Sequence, residues 1–254
     1  MTTAIGYRNL ADAATITATD EQSTTPVGNL KVEHISTKWR TASGKTGTAI
    51  VVDFGSTTAI NYVGLLGLNL TAADTIGVKG STINGDGDSN VFSDQGMTID
   101  PVYGDFHHHR ALVSVRWLRF SIAITGAPAA IEAGRLLAMN CFRPTHGIQF
   151  GFRRVGHVTA DGDVSDGGQD WTRIKHTRRG FDATYRAVTT AEIDSQWESI
   201  RTYGGLSRDM LLCTNIASAA PGRDNVWGPC IALDGPIHTD PGLWRLSLEL
   251  RQRL

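Results

Sequence analysis

The stretch that decides the fold is WRTASGKTGTAIVVDFGSTTAINYVGLLGL, Trp39–Leu68. It reads as a Trp-Arg pair in a loop, a short apolar run over Ala49–Phe54, a Gly55-Ser56 turn and a second apolar run over Ile60–Leu70. Runs of this length, rich in Val, Ile and Thr and bounded by Gly and Ser, fit strands better than helices. Gly64 and Gly67 interrupt the second run, where bulges or close backbone approach are expected.

The same pattern extends outward in both directions. Upstream, Ala14–Thr19 alternates with period two, Asp20–Gly28 is a turn-rich loop, and Asn29–Ile35 alternates again with Leu30 and Val32 on one face. Downstream, Thr75–Ser81 alternates, and Asn84–Asp88 (NGDGD) is a turn cluster that opens a polar stretch reaching Asp105. Leu112–Ile124 is the clearest strand. Its apolar parity runs through Val113, Val115 and Trp117 and then moves to Leu118, Phe120 and Ile122, so a bulge is expected near Trp117–Leu118.

The uncharged Gly126–Ala130 segment is the expected domain boundary, dividing the chain into 1–130 and 131–254. Beyond it, strands are expected at Ile131–Met139, Ile148–Arg154, Arg173–Arg186, Met210–Cys213, Val226–Leu233 and Leu243–Leu250, with Thr159–Asp170 as a polar loop. One helix is predicted over 189–203. Thr189 and Glu192 form a capping box, Ile193, Trp197 and Ile200 make an apolar stripe, and Gly204-Gly205 stops it.

Composition narrows the function classes. The 254 residues are 41% hydrophobic and 19% charged, with a formal net charge of −1, which gives no long-range field to draw nucleic acid or an anionic membrane. No apolar run approaches the ~20 residues that span a bilayer. The opening MTTAIGYRNLADAA lacks the basic and apolar regions of a secretory signal, so synthesis in a cytoplasm without signal-route export is expected. Cys141, Cys213 and Cys230 are too few and too dispersed for a disulfide framework, contain no C-x-x-C pair, and read as buried small hydrophobes.

The order Trp-Arg loop, Val-Asp-Phe-Gly strand, polar turn and second strand resembles the centre of discoidin-like (galactose-binding-like) β-sandwich domains. The R-W-L-R-F core of Leu112–Ile124 resembles their closing strand, and NLADAATITATDEQ their opening strand and loop. The resemblance covers roughly residues 5–130. The layout of strands, one helix and strands in the second half resembles the tail-tube-like fold of tailed-bacteriophage tail proteins, and WRTASG, GLLGLNL and LWRLSLELRQRL share their character. The fold class expected is mainly β, with a discoidin-like jelly roll followed by a tail-tube-like sandwich flanked by the helix.

Several constellations merit weighing as sites. His107 and His109 would share one face of a strand and could ligate a metal with Asp105 or His34, although a surface turn with incidental histidines is the simpler reading. Asn84, Asp86, Asp88 and Asn90 alternate like a calcium loop, but Ser89 and Gln95 stand where an EF-hand needs Gly and Glu. Asp161, Asp163, Asp166 and Asp170 repeat the theme without a motif. Trp39 beside Arg40 can stack on a sugar or a partner, or plug the base of the sandwich. On a strand, Arg173, Lys175, Thr177 and Arg179 would form a cationic stripe, read as a subunit contact ahead of a phosphate contact. No nucleophile elbow, zincin, P-loop or dinucleotide motif is present.

The resemblance implies a structural protein of a tailed-phage virion at the tail tip or baseplate, made in the host cytoplasm. It would form a symmetric ring of its own copies and dock neighbouring tail proteins, fibres or a host surface glycan. No catalytic residue, cofactor, metal or membrane insertion is expected, and nucleic acid is disfavoured. A stand-alone discoidin-type carbohydrate-binding protein is the alternative, and an all-β polysaccharide-processing enzyme the second.

Overall fold

A computed structural model describes residues 2–84, 90–100, 102–126, 130–149, 152–164, 170–206 and 208–253. It is mainly β. The strands are β1 (Ala4–Gly6), β2 (Thr15–Ala18), β3 (Trp39–Arg40), β4 (Gly47–Leu66), β5 (Thr75–Ser81), β6 (Phe92–Thr98), β7 (Phe106–Ala123), β8 (Glu132–Ala133) and β9 (Arg135–Met139). They continue with β10 (Arg153–Val164), β11 (Asp170–Thr189), β12 (Asp209–Cys213), β13 (Asn225–Leu233), β14 (Ile237–Asp240) and β15 (Leu243–Arg251).

The first body is a curled antiparallel sheet ordered β2-β4-β7-β5-β6, with β9 added to β4 and a small β3–β8 ribbon nearby. β4 and β7 run through the whole body. The first half of β4 pairs with β2 and the end of β7, and its second half pairs with β9 and the start of β7. The pairing slips between Asp53 and Thr58, opposite Trp117 and Val115. The irregularity expected near Trp117 is therefore present, but the extra residues lie in the partner strand β4. Leu118, Phe120 and Ile122 on β7, Ile50, Val52 and Ile60 on β4, and Trp39 close one apolar core.

The second body is a seven-stranded antiparallel sheet, β1-β12-β13-β15-β11-β10, with β14 on β15. Strand alternation sends its side chains to two different cores. Ile5, Leu212 and Val226 face the helix side, where Ile193, Ile200 and the partly buried Trp197 pack. Ala4, Leu211, Cys213 and Trp227 face the other way and join Tyr62, Leu66, Leu137 and Met139 of the first body. The partner layer for this second face is thus supplied by the first body. All three cysteines are buried, and burial raises the thiols, Cys213 to about 12 and Cys230 to about 11.

Side-chain amides stitch the seam between the bodies. Asn61 exchanges two bonds with the backbone of Cys141, 2.7 and 2.8 Å, as a strand neighbour would. Asn9 does the same for β9, donating to the Leu136 carbonyl and accepting from Ala138 N, both at 2.9 Å. Gly6 passes between the two bodies, where a Cβ would stand 2.4 Å from Met139 Sδ and 3.1 Å from Leu211 Cβ.

Local structure departs from the sequence reading in five places. The turn expected at Gly55-Ser56 lies inside β4, which is one strand from Gly47 to Leu66, and only its pairing with β7 slips there. Asn29–Ile35 is not a strand: Val27–Lys31 forms a 3₁₀ turn that buries Leu30, with the Asn29 amide donating to the Lys38 carbonyl at 2.8 Å. The polar stretch before Asp105 contains β6, paired with β5. Ile148–Arg154 is strand only from Arg153. Most of Thr159–Asp170 belongs to a hairpin arm, because β10 and β11 pair out to Val164 and Asp170. The helix forms as predicted at its start, with a complete Thr189–Glu192 capping box, and then continues through π-helical turns over Ile193–Trp197 and Ile200–Gly204.

The division at residue 130 has strand partners on both sides of it, since β8 and β9 pair with β3 and β4 while β1 pairs with β12. A fragment 1–130 would lack the buried residues Ile131, Ala133, Leu136 and Ala138 of the first core. It is expected to give no cooperative transition in calorimetry, and a sharp two-state melt of that fragment would contradict this reading.

Candidate functional site

The histidine pair lies deep in the seam. As strand geometry requires, His107 and His109 point the same way from β7, and they face Tyr62 of β4. The Tyr62 hydroxyl and His107 Nδ1 share a 2.6 Å hydrogen bond, and His109 Nε2 donates to Asn225 Oδ1 of β13 at 3.0 Å. Gly64 makes this possible: it stands opposite His107, and a Cβ there would lie 2.5 Å from the phenol oxygen. Asp105 accepts from Gly67 N at 3.0 Å and sits 3.9 Å from His107 Nε2. Among the described residues no group of three His, Cys, Asp or Glu side chains is disposed to hold a metal ion.

Burial sets the charges of this cluster. It lowers His107 to about 3 and His109 to about 4, and raises Asp105 to about 6, while it pushes the Tyr62 phenol well up. Arg179 and the neighbouring histidine reinforce the effect on His107, and Arg143 and His108 that on His109. The cluster is therefore neutral in its two rings at physiological pH, with His107 buried and His109 half-buried.

The other nominated residues scatter. Trp39 is 0% exposed and plugs the first core, out of reach of any ligand. Arg40 pairs with Glu132 at 3.0 Å across the β3–β8 ribbon. Asp86 and Asp88 lie outside the described residues. The cationic stripe is broken by a bulge: Ala160 opposes Ile174 and Thr159 opposes His176, leaving Lys175 as the extra residue, so the faces before and after it exchange. Arg173 and Lys175 are exposed on the arm. Arg179 instead turns inward, donating to the Gly222 carbonyl at 2.7 Å and lying 3.9 Å over the Tyr103 ring.

What sequence reasoning missed is a groove where the two bodies meet. Tyr7 and Arg8 follow β1, and Tyr203 ends the helix. The Tyr7 hydroxyl donates to Gln196 Oε1 at 3.2 Å, and the Arg8 guanidinium lies 4.8 Å above the Tyr203 ring. These three residues line two adjoining clefts. One, of about 220 Å³, also carries Asp12, Glu33, Arg135, Arg208, Asp209 and Trp227. The other, of about 310 Å³, carries Leu10, Thr58, Ala59, Asn140 and Ser199. On the floor, Arg135 is 1% exposed and pairs with Asp12 at 2.8 Å, and Arg253 pairs with Asp209 at 2.6 Å and with Glu33 at 3.4 Å. Burial raises both Asp12 and Asp209, and the guanidiniums offset part of that rise. A third cleft, about 430 Å³, opens at Asn69–Asp74 and Ile124–Gly126 of the first body. Its polar groups are already engaged, Asp74 by Thr71 and Thr125, and Asn69 by the Ala130 carbonyl.

No protein-family model and no curated protein matches the sequence. Among solved structures, similarity is found to chitosan-binding module 1 of a chitosanase/glucanase from Paenibacillus sp. IK-5, at 20% identity, a TM-score of 0.44, 52% of this chain and 99% of that one. The lectin domain of Lectinolysin, complexed with Lewis B antigen, matches at 10% identity and TM-score 0.43 over 53% of this chain and 98% of its own. A Ruminococcus gnavus GH29 fucosidase matches at 13% identity and TM-score 0.44, with 53% of this chain but 27% of the fucosidase. Likeness at this level carries no argument about ligand or activity. The first two are a carbohydrate-binding module and a lectin domain, and none of the three is a phage tail component.

The buried cluster makes a pH dependence with a definite sign. The unfolded chain protonates both histidines near pH 6.5 while the folded chain resists until about 4 and 3, so their contribution is present above pH 6.5 and lost as pH falls. Asp105 acts oppositely, gaining a proton in the folded state near pH 6, so stability rises from this group as pH falls from 6 towards 4. His109→Gln removes one of the two opposing histidines. Between pH 6 and 4.5, the variant's stability should fall less steeply than the wild type's, by about 1.4 kcal/mol per pH unit, the equivalent of one proton. Denaturant melts across that range measure it, and parallel curves would show that His109 is solvated.

Proposed function

We propose that this chain is a non-catalytic carbohydrate-binding protein whose ligand lies in the groove between its two bodies. The observation that carries the reading is the Tyr7–Arg8–Tyr203 wall. Sugar recognition needs an aromatic face for the C–H side of a ring and polar groups that hydrogen-bond its hydroxyls. Tyr203, 42% exposed, supplies the first, and Asn140, Ser199 and Thr58 supply the second beside it. The carboxylates of the groove are each held by a guanidinium, an arrangement suited to orientation rather than to proton transfer. The test is retention of the protein on a panel of immobilised neutral and acidic oligosaccharides. Tyr203→Ala should weaken the retained interaction by about tenfold, a loss of ~1.4 kcal/mol that matches one aromatic contact. Failure to bind any saccharide would overturn the reading.

A role in a ring at the tail tip or baseplate of a tailed phage is the second reading, favoured by the β10–β11 arm. Residues 170–179 of β11 pair with β10 alone, since contact with β15 begins at Gly180. β10 ends the sheet, and Val158 and Ile174 on the arm are 56% and 62% exposed. Long edge strands with exposed apolar residues invite pairing with another chain. Under this reading Val158→Lys with Ile174→Lys abolishes incorporation into particles, scored by immunolabelling of purified virions. Label absent from virions carrying the unaltered chain would defeat it.

A further inference from the structure

Charge in the smaller cleft of the groove is unevenly matched. Its three carboxylates each have a guanidinium already: Asp12 is held by Arg135, and Asp209 and Glu33 by Arg253. Arg8 and Arg208 line the same cleft, and among the described residues neither makes an ion pair; Arg8 only stacks on Tyr203. Both are exposed at the mouth, while Arg135 and Trp227 form the buried floor. The adjoining cleft is different in kind, being lined by Thr58, Asn140 and Ser199 with no charge beyond the shared Arg8. One end is therefore lined by three arginines and three carboxylates, balanced in formal charge but with the Arg8 and Arg208 guanidiniums at its mouth held by no carboxylate among the described residues; the other end is uncharged apart from the shared Arg8, and Tyr7 and Tyr203 line both.

We propose that the charged end, through its two unengaged guanidiniums Arg8 and Arg208, binds the carboxylate of an acidic saccharide, a uronic-acid residue. The proposal rests on the carbohydrate reading and narrows it. A guanidinium matches a carboxylate through two parallel N–H donors, which an uncharged sugar hydroxymethyl group cannot replace. The 220 Å³ of the charged cleft suits one pyranose ring and the neutral cleft its neighbour, with Tyr203 and Tyr7 against the ring faces. A bare anion would use the arginines but leave the tyrosines idle. An acidic disaccharide uses both.

The test is titration calorimetry of the full chain with digalacturonate, with digalactose as its neutral counterpart, and with acetate as a bare carboxylate. Digalacturonate should bind at least about tenfold more tightly than digalactose, the ratio expected from one charge-assisted hydrogen-bonded pair, and acetate should give no measurable heat. The advantage should shrink as salt rises, because the site is partly exposed. Arg208→Gln should reduce digalacturonate affinity by about tenfold with an unchanged melting temperature, and Arg208→Lys should restore part of it. Equal affinity for the two disaccharides would overturn the acidic preference while leaving the carbohydrate reading in place. Acetate binding as well as digalacturonate would overturn it in favour of a simple anion site. No binding of either disaccharide would sink the proposal together with the reading beneath it.

Discussion

The structure depends on one three-residue strand. β1 pairs with β12 on one side while Ile5 bridges to Phe142 on the other, so the first strand is laid into the sheet built otherwise from β10 to β15. Because neighbouring side chains on a strand point to opposite faces, this placement commits Ala4 to one core and Ile5 to another. β12 and β13 obey the same rule, and the sheet acquires two apolar faces. One is covered by the helix, and the other has nothing to cover it except the first body. Two β bodies are thereby welded rather than tethered, and the groove at their junction keeps a fixed shape.

The weld is unusually polar for a buried seam. Burying a polar group without a partner costs more than an ordinary contact returns, and several seam groups find one although His107 Nε2, His109 Nδ1, Arg135 Nε and Trp227 Nε1 do not. Asn61 and Asn9 do so by imitating a strand, and Tyr62 with His107 by sharing a bond across the gap left by Gly64. Arg135 carries its charge into the seam with Asp12 beside it. Such pairs rarely add net stability over a well-packed apolar substitute, but they penalise any register that separates the partners. The two bodies meet in one arrangement because other arrangements strand these groups.

That logic explains what could be read from sequence. A strand with one buried face, such as the second half of β7, announces itself by alternation, β12, buried on both faces, by a short apolar run, and the Thr189–Glu192 box marks the helix start by local hydrogen bonding alone. The β10 half of the arm escaped because Val158, Thr159, Ala160 and Gly162 are all exposed, which erases the period on which a strand is recognised, whereas Arg173–Arg186 reads as strand and lies in β11. Val27–Lys31 misled because Leu30 and Val32 alternate by accident of a 3₁₀ turn. Trp39 could be read either as a ligand contact or as a plug at the base of the sandwich, and it is buried in the first core. The groove was invisible for a different reason. Tyr7 and Gln196 touch across 189 residues of sequence, and no pattern in either neighbourhood refers to the other. His107 and His109 were legible as a pair on one strand face, whereas the sheet that buries them was not.

The placement of groove and arm bears on how the two functional readings relate. The groove is framed by β1, the loop after it and the helix, whereas the arm leaves the sheet at its opposite edge, beyond β11. The Arg179 side chain, which begins the arm, is tied to Gly222 and Gln252 of the second body, so the base of the hairpin is anchored. A ligand in the groove and a neighbour on the arm would therefore compete for no side chain. Binding a glycan and joining an assembly are compatible tasks for one rigid unit, with the welded seam holding the recognition face at a constant angle to the edge that docks. A hinged pair of domains would lose that angle to thermal motion and pay the entropy of fixing it at each encounter. If the groove binds a glycan as proposed, the polar seam removes that cost in advance by holding its two walls together.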